Sequence, residues 1–453
     1  MFSLDPQHGF FRQGNTKSLA FRKEALQKLL LAIEQYEPAL YQAFYQDLHK
    51  SEFEAFCTEI GIVKRSIRYM LRRLSSWVKP KRKPTPLLLF GRSSTVFYEP
   101  YGSVLILGPF NYPFLTLIEP LAGAIAAGNT AVIKPSEQTP SIGKVIRQMI
   151  SSSFDPEYIK VILGGIETTE SLLEQPFDLI FFTGSSKVGK IIMEKAAKHL
   201  TPLVLELGGK SPALVCKDAD LKLAAKRIVW GRFLNAGQIC IAPDYCLVHE
   251  SVKEMLVEEM IREIRRMYGK DAVLSKDYGR IIAKRHALRL RKIIAAHKKD
   301  IVYGGGKKGL YIEPTLLLLN SAEGPAMEEE IFGPLLPVIG FSHPREILAI
   351  TRKYPKPLAL YLFGKDRHFL HQLLHRIPSG GAMINDVLLY AGNEHLPFGG
   401  VGNSGMGRYH GKYSMEAFSH ERVLMESRFH GSDFLLRAPY SKIKLLILKK
   451  FLK

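Results

Sequence analysis

The residue best placed to do chemistry is Cys240, which ends the stretch Phe233-Leu-Asn-Ala-Gly-Gln-Ile-Cys240. Ala236 and Gly237 leave room there for a ligand to approach the backbone, and nearby N–H groups could receive a developing oxyanion. A lone cysteine is more often a packing residue, so a chemical role depends on what other segments supply. Glu206 lies in the apolar run Leu203-Val-Leu-Glu206-Leu-Gly-Gly209. An unpaired acid is costly to bury, and burial raises its pKa toward the range of a general base, so a functional role is favoured. Asn111 stands between prolines in Gly108-Pro-Phe110-Asn111-Tyr-Pro113. A rigid amide donor for a negative oxygen and a structural turn asparagine are equal readings of that segment alone. Glu330 enters the turn Glu330-Ile-Phe332-Gly-Pro334 and by itself says little.

Two further segments suit a nucleotide. Lys134 and Glu137, in Ile133-Lys134-Pro-Ser-Glu137, follow a strand-like run and could hydrogen-bond ribose hydroxyls. Alone, the segment reads more simply as a capping Ser136 among surface charges. Phe182-Thr-Gly184-Ser185-Ser-Lys-Val-Gly189-Lys190 sits between a strand and a helix, where N–H groups can face a phosphate. It nearly matches a P-loop, but Ile191 occupies the place of the Mg²⁺-binding hydroxyl, which disfavours an NTPase.

The elements that must position these residues follow from periodicity. Leu26, Leu29, Leu30 and Ile33 share one helical face, and Phe53, Phe56, Ile60, Val63, Ile67, Met70 and Leu74 predict a second amphipathic helix within 17–78. Lys79-Pro-Lys-Arg-Lys-Pro-Thr-Pro is an extended connector, and 95–99 reads as a strand. Apolar runs at 103–107, 130–134, 159–163, 179–182 and 203–207 then alternate with helical segments at 116–127, 140–153, 167–173 and 187–199. Such alternation predicts a parallel doubly wound sheet, which takes nucleotides at the carboxyl ends of its strands. A looser repeat follows, with helices near 218–233, 251–267, 276–297, 344–353 and 366–376 and strands at 335–341 and 359–363. It predicts a second α/β domain. The glycine-rich 304–309 segment reads as an exposed turn.

The 453 residues allow two to four domains and a large core. The four cysteines show neither metal-ligand nor disulfide spacing, so no metal is expected and a reducing cytoplasm fits. No secretory signal is visible, and no apolar run nears the roughly 20 residues of a membrane span. The net charge of +20 is uneven: ten Lys or Arg and no acid lie between Glu59 and Glu99, and six basic residues and no acid between Arg437 and Lys453. Such faces attract polyanions, anionic lipid or anionic ligands, although a charge run is usually only a solvated face. The basic, apolar segment from 441 to 453 is too short to span a bilayer but can lie on an anionic surface.

Taken together, P-F-N-Y-P (109–113), I-K-P-S-E (133–137), F-T-G-S (182–185), L-E-L-G-G-K-S-P (205–212), F-x-N-x-G-Q-x-C (233–240), E-I-F-G-P (330–334) and P-F-G-G-V-G-N-S-G-M-G (397–407) resemble the aldehyde dehydrogenase superfamily in order and spacing. The Cys240-Ile-Ala-Pro-Asp-Tyr245 segment, the short N-terminus and the basic apolar tail resemble its class-3, fatty-aldehyde branch. The resemblance implies that Cys240 is the nucleophile and that the Asn111 amide and the Cys240 N–H hold the oxyanion. It implies that Glu206 activates the hydrolytic water, with Glu330 sharing that duty. For the cofactor, NAD with NADP admitted, it implies Lys134 and Glu137 at the adenine ribose, Gly184, Ser185 and Gly189 at the pyrophosphate, and Glu330 and Phe332 at the nicotinamide ribose. Phe110 stands where the family usually has Trp, which puts the shape of the aldehyde tunnel in doubt.

The expected layout is an aldehyde dehydrogenase-like α/β fold with a doubly wound dinucleotide-binding domain (1–78 and 101–208) and a second α/β catalytic domain (209–418). Small oligomerisation strands (79–100 and 419–434) and a basic amphipathic tail (435–453) complete it. The expected function is NAD(P)-dependent oxidation of medium- or long-chain, or aromatic, aldehydes by a cytoplasmic homodimer that does not bind nucleic acid. Its 437–453 tail would touch a membrane or cap the substrate entrance. Acyl transfer to coenzyme A on the same fold is the alternative, disfavoured by Glu206. A basic lipid- or nucleic-acid-binding protein without catalysis is disfavoured by the intact set Asn111, Glu206 and Cys240.

Overall fold

The computed structural model describes residues 2–427 and 433–452. Its mixed α/β architecture rests on two large sheets. In the first, the strands run in the order Gly405–Met406, Leu203–Glu206, Leu179–Thr183, Ser103–Leu107, Thr130–Lys134 and Ile159–Val161, all parallel except the first. Successive side chains of Ser103–Leu107 point to opposite faces: Val104 and Ile106 enter one core, Leu105 and Leu107 another. Burial on both faces explains why these strands read as continuous apolar runs. The chain winds outward from Ser103–Leu107 to one side, then returns to add Leu179–Thr183 on the other. That reversal opens a crevice at the carboxyl ends of the strands.

The second sheet orders Ile301–Tyr303, Thr315–Leu319, Leu335–Phe341, Tyr245–His249, Pro212–Val215, Ala359–Phe363 and Gly381–Ile384, parallel except at the first pair. A three-stranded antiparallel ribbon joins Lys81–Lys83, Arg92–Pro100 and Ser419–Ser427. The proline-rich connector thus contributes a short strand, because Pro80 and Pro84 flank the three residues whose backbone pairs. The strand expected over 419–434 is seen as Ser419–Ser427; residues 428–432 lie outside the described residues, and its last two positions instead begin the helical turn Asp433–Leu436.

The N-terminal helices differ from the periodicity in one respect. Leu19–Leu48 buries Leu26, Leu29, Leu30 and Ile33 as expected. The next apolar stripe is broken: Phe53 is 81% exposed and Phe56 43%, whereas Ile60, Val63, Ile67, Met70 and Leu74 are buried. A π-helical turn at Phe56–Ile60 inserts an extra residue per turn and rotates the earlier positions off the buried face. A helix at Asp5–Arg12 had no apolar stripe to reveal it, and the helix expected from 276 begins only at Lys284.

Candidate active site

The expected residues converge on the carboxyl ends of the first sheet. Lys134 and Glu206 are the last residues of their strands, Gly184 and Ser185 follow Leu179–Thr183, and Asn111 lies four positions after Leu107. Cys240 comes from the loop after helix Leu221–Phe233 and is half-buried.

That loop is an unusual backbone. Asn235 and Ala236 have φ near +50° and Gly237 has φ +76°, so three consecutive residues are left-handed. For Asn235 and Ala236 this costs about 1–2 kcal/mol each. A Cβ on Gly237 would lie 2.3 Å from the Gly333 carbonyl, so only glycine lets this turn pass the loop that carries Glu330. Side chains over-determine the turn. The Asn235 N–H donates to buried Glu54 at 2.9 Å, and Gln238 Oε1 accepts from the Ile282 N–H at 3.0 Å. Asn111 Nδ2 donates to the Gln238 carbonyl at 3.0 Å, two residues before Cys240. A primary amide has two N–H groups, so one remains for a ligand.

Glu206 is 2% exposed, and neither carboxylate oxygen has a hydrogen-bond partner among the described residues. Burial holds its pKa well above the ordinary carboxyl range. Glu330 is pushed up to about 8 by burial, then by Asp244, against the stabilising Gly209 N–H that its carboxylate accepts. Its carboxylate presses on Gly208, where a Cβ would sit 2.1 Å from Oε2. The Cys240 thiol is pushed up to about 12, first by burial and then by the charges of Glu330 and Glu206. The three groups therefore titrate together, and the thiol needs a base to receive its proton.

Sequence reasoning missed the scaffold beneath these residues. Asp244 is a buried carboxylate bridging Lys210 Nζ at 2.6 Å and Arg232 Nη1 at 3.0 Å. It accepts from the Ile331 N–H, while Lys210 also donates to the Ala326 and Glu329 carbonyls. These bonds fix the segment bearing Glu330. A second buried pair, Lys50 Nζ to Glu59 at 2.6 Å, reaches the Asn111 carbonyl at 3.4 Å. Glu59 also accepts from the Phe114 and Leu115 N–H groups. Charged residues inside apolar stretches, Arg232, Asp244 and Glu59, were the available signal, whereas Lys50 stands in the polar segment His49-Lys50-Ser51-Glu52 and gives none.

The segments read as nucleotide-binding are placed as follows. Lys134 is 4% exposed, yet among the described residues its ammonium has only long contacts, 3.3 Å to the Pro135 carbonyl and 3.4 Å to Glu137. A buried ammonium with three donors so weakly engaged has capacity for hydroxyl oxygens of a ribose. Glu137 is exposed beside it. Ser185 caps helix Ser186–Ala197, and Gly189 is buried on its inner face. Phe332, with φ +46°, packs edge-on against Phe110 at 5.7 Å, and Phe110 also meets His286 at 5.3 Å. These residues fit a nicotinamide dinucleotide, with polar contacts at the strand ends and an aromatic wall near Glu330.

Residues 10–424 match the Aldehyde dehydrogenase family. Among curated relatives, the chain is 48% identical over 448 residues to 4,4'-diaponeurosporen-aldehyde dehydrogenase of Staphylococcus aureus, covering 98% of this chain and 97% of that protein. It is 41% identical to the dimeric NADP-preferring aldehyde dehydrogenase of Canis lupus familiaris, covering 96% of each. The solved substrate-bound state of Staphylococcus aureus AldH superposes with a TM-score of 0.97 at 46% identity over all of both chains.

Proposed function

The chain belongs to the aldehyde dehydrogenase family, among its class-3-like members, and we propose that it oxidises medium- or long-chain aliphatic aldehydes, with aromatic ones accepted, through an acylated Cys240. The observation that carries the hydrolytic ending is Glu206, a buried carboxyl with neither oxygen partnered among the described residues and close enough to Cys240 to raise its pKa. Transfer of the acyl group to coenzyme A would give such an acid nothing to do.

In this reading a neighbouring carboxylate takes the Cys240 proton and the sulfur attacks the aldehyde carbon to give a thiohemiacetal. The free N–H of Asn111 and the Cys240 N–H hold the oxyanion, a contact strongest where charge develops. A nicotinamide dinucleotide held by Lys134, Glu137, Gly184, Ser185, Gly189, Glu330 and Phe332 supplies the acceptor for the hydride. Glu206 then removes a proton from the water that hydrolyses the thioester, with Glu330 sharing base duty. The exposed carboxylate of Glu137 would repel a 2′-phosphate, so NAD is the preferred form and NADP is accepted.

The test is absorbance of reduced nicotinamide across an aldehyde chain-length series, with each cofactor, with and without coenzyme A. The panel includes 4,4'-diaponeurosporen-aldehyde, for which the staphylococcal relative is named. The expected result is turnover without coenzyme A, kcat/KM rising with chain length and higher with NAD. Strict dependence on coenzyme A would overturn the hydrolytic reading.

The ribbon supports a homodimer, and the canine relative is named dimeric. Among the described residues, strand Ser419–Ser427 pairs as a strand with Arg92–Pro100 alone, and it exposes Val423, Leu424 and Met425. The tail supports contact with an anionic membrane surface. Helix Lys442–Phe451, capped by Ser441, buries no residue and exposes Ile443, Leu446 and several lysines. Among the described residues no helix is long and apolar enough to cross a membrane. Full-length protein is expected to co-sediment with vesicles containing anionic lipid, and a chain truncated at Pro439 to stay in the supernatant. Equal binding of the two would remove the tail's role.

A further inference from the structure

We infer that Asn235 and Gln238 are positioning residues for the oxyanion donor, locked with Asn111 into a closed ring of three side-chain amides. The inference rests on reading Cys240 as the nucleophile and Asn111 as the donor. Around the ring, each side-chain nitrogen donates to the main-chain carbonyl of the next member. Asn111 Nδ2 donates to the Gln238 carbonyl at 3.0 Å, Gln238 Nε2 to the Asn235 carbonyl at 3.1 Å, and Asn235 Nδ2 to the Asn111 carbonyl at 2.8 Å. All three residues are buried. Because each nitrogen faces a carbonyl oxygen, no amide can flip without setting oxygen against oxygen.

The ring joins two segments far apart in sequence, the loop after strand Ser103–Leu107 and the left-handed turn that ends at Cys240. Closing it sets the Asn111 amide relative to the sulfur, and it occupies one N–H of Asn111 so that only the other is left to donate. Outer contacts hold the ring itself: Lys50 Nζ reaches the Asn111 carbonyl, Glu54 accepts the Asn235 N–H, and Gln238 Nε2 also donates to the Arg280 carbonyl at 3.0 Å. Neither Asn235 nor Gln238 is needed to touch the substrate. Their effect would pass through the direction of one N–H bond, and a small misplacement there weakens transition-state binding more than ground-state binding.

Asn235→Gly removes the amide and keeps the left-handed backbone, which glycine adopts without strain. Gln238→Met removes both donors and keeps the volume. Three measurements on the full chain separate positioning from general damage. These are the single-turnover rate of nicotinamide reduction with saturating aldehyde, cofactor affinity, and the rate at which iodoacetamide alkylates Cys240. Peptide mass spectrometry distinguishes that alkylation from reaction at the exposed Cys57. Alkylation passes through no oxyanion. Each variant is expected to lower the single-turnover rate by roughly 10- to 100-fold, with cofactor affinity and Cys240 alkylation within about threefold of wild type. In Asn111→Ala, adding Asn235→Gly should cost nothing more, because the group being positioned is already gone.

Unchanged single-turnover rates in the variants would overturn the inference, as would losses that add in the double variant or parallel losses in alkylation. Should one variant not fold, the other carries the same comparison. If wild type itself reduces no nicotinamide with any aldehyde, the parent reading falls first, and the ring then has no donor to position.

Discussion

Cys240→Ser is expected to lower aldehyde oxidation by roughly 10⁴-fold or more while leaving cofactor binding within about twofold of wild type. The substitution changes the nucleophile and little else. Cys240 is half-buried at the end of the left-handed turn, its side chain is similar in volume to serine, and no residue assigned to the nucleotide depends on it. A hydroxyl in this setting is a far weaker acid than a thiol that burial and two carboxylates already hold up to about 12. The alkoxide needed for attack would be out of reach. Reduced-nicotinamide absorbance measures the loss and a fluorescence titration measures cofactor binding. A variant keeping more than a few per cent of wild-type turnover would remove Cys240 from the reaction. Loss of cofactor binding would show that the substitution had disturbed the fold instead.

Glu206→Gln should separate the two halves of the reaction. With Asn111 and Cys240 intact, one equivalent of reduced nicotinamide per active site is expected in a rapid first turnover. Steady-state turnover should then fall by about 10²- to 10⁴-fold, the usual range for loss of a general base. Mass spectrometry should find the acyl group on Cys240. Undiminished hydrolysis would shift base duty to Glu330, whose carboxyl is raised to about 8 and is also near the sulfur.

The same variant makes a prediction for stability. Glu206 is held neutral in the folded state to a pH well above its ordinary titration, whereas in the unfolded chain it ionises near pH 4.3. Above that pH the unfolded state binds fewer protons than the native state, so this group makes wild type less stable as pH rises toward its folded pKa. A glutamine amide in its place has no proton to lose. The variant should therefore melt at a higher temperature than wild type at pH 8, with the difference closing as pH falls toward 4. A difference independent of pH would show that Glu206 is ionised in the fold. Glu330 contributes with the same sign up to about pH 8, so the wild-type slope should be reduced in the variant without vanishing.

Much of this molecule was legible before any fold was seen. The strands of the first sheet are sandwiched between two cores, so their apolar runs stood out, and residues at their carboxyl ends could be placed because the chain leaves a parallel strand at only one end. Lys134, Gly184, Ser185, Glu206 and Asn111 lie at or just beyond such ends, but their separate roles rest on the resemblance of the motifs taken together. Small residues beside Cys240 single it out, whereas the turn around Glu330 says little by itself and its role rests on the resemblance. Where local pattern misled, one extra residue sufficed: the π-helical turn at Phe56–Ile60 left Phe53 and Phe56 facing outward on a stripe that otherwise predicts burial.

The sequence by itself therefore determined which residues could react and the sheet edge from which several of them project. Only the tertiary structure decided how they are held. Glu54 meets Asn235 across 181 positions of chain, Asn111 meets Gln238 across 127, and Asp244 receives the Ile331 N–H across 87. No periodicity records such partners, because a buried hydrogen bond is specified by two surfaces that become neighbours only after the sheets have packed. The charge states follow the same rule. That Glu206 ionises, and the Cys240 thiol loses its proton, only at raised pH depends on water being excluded around them, and it is the assembled core that excludes it.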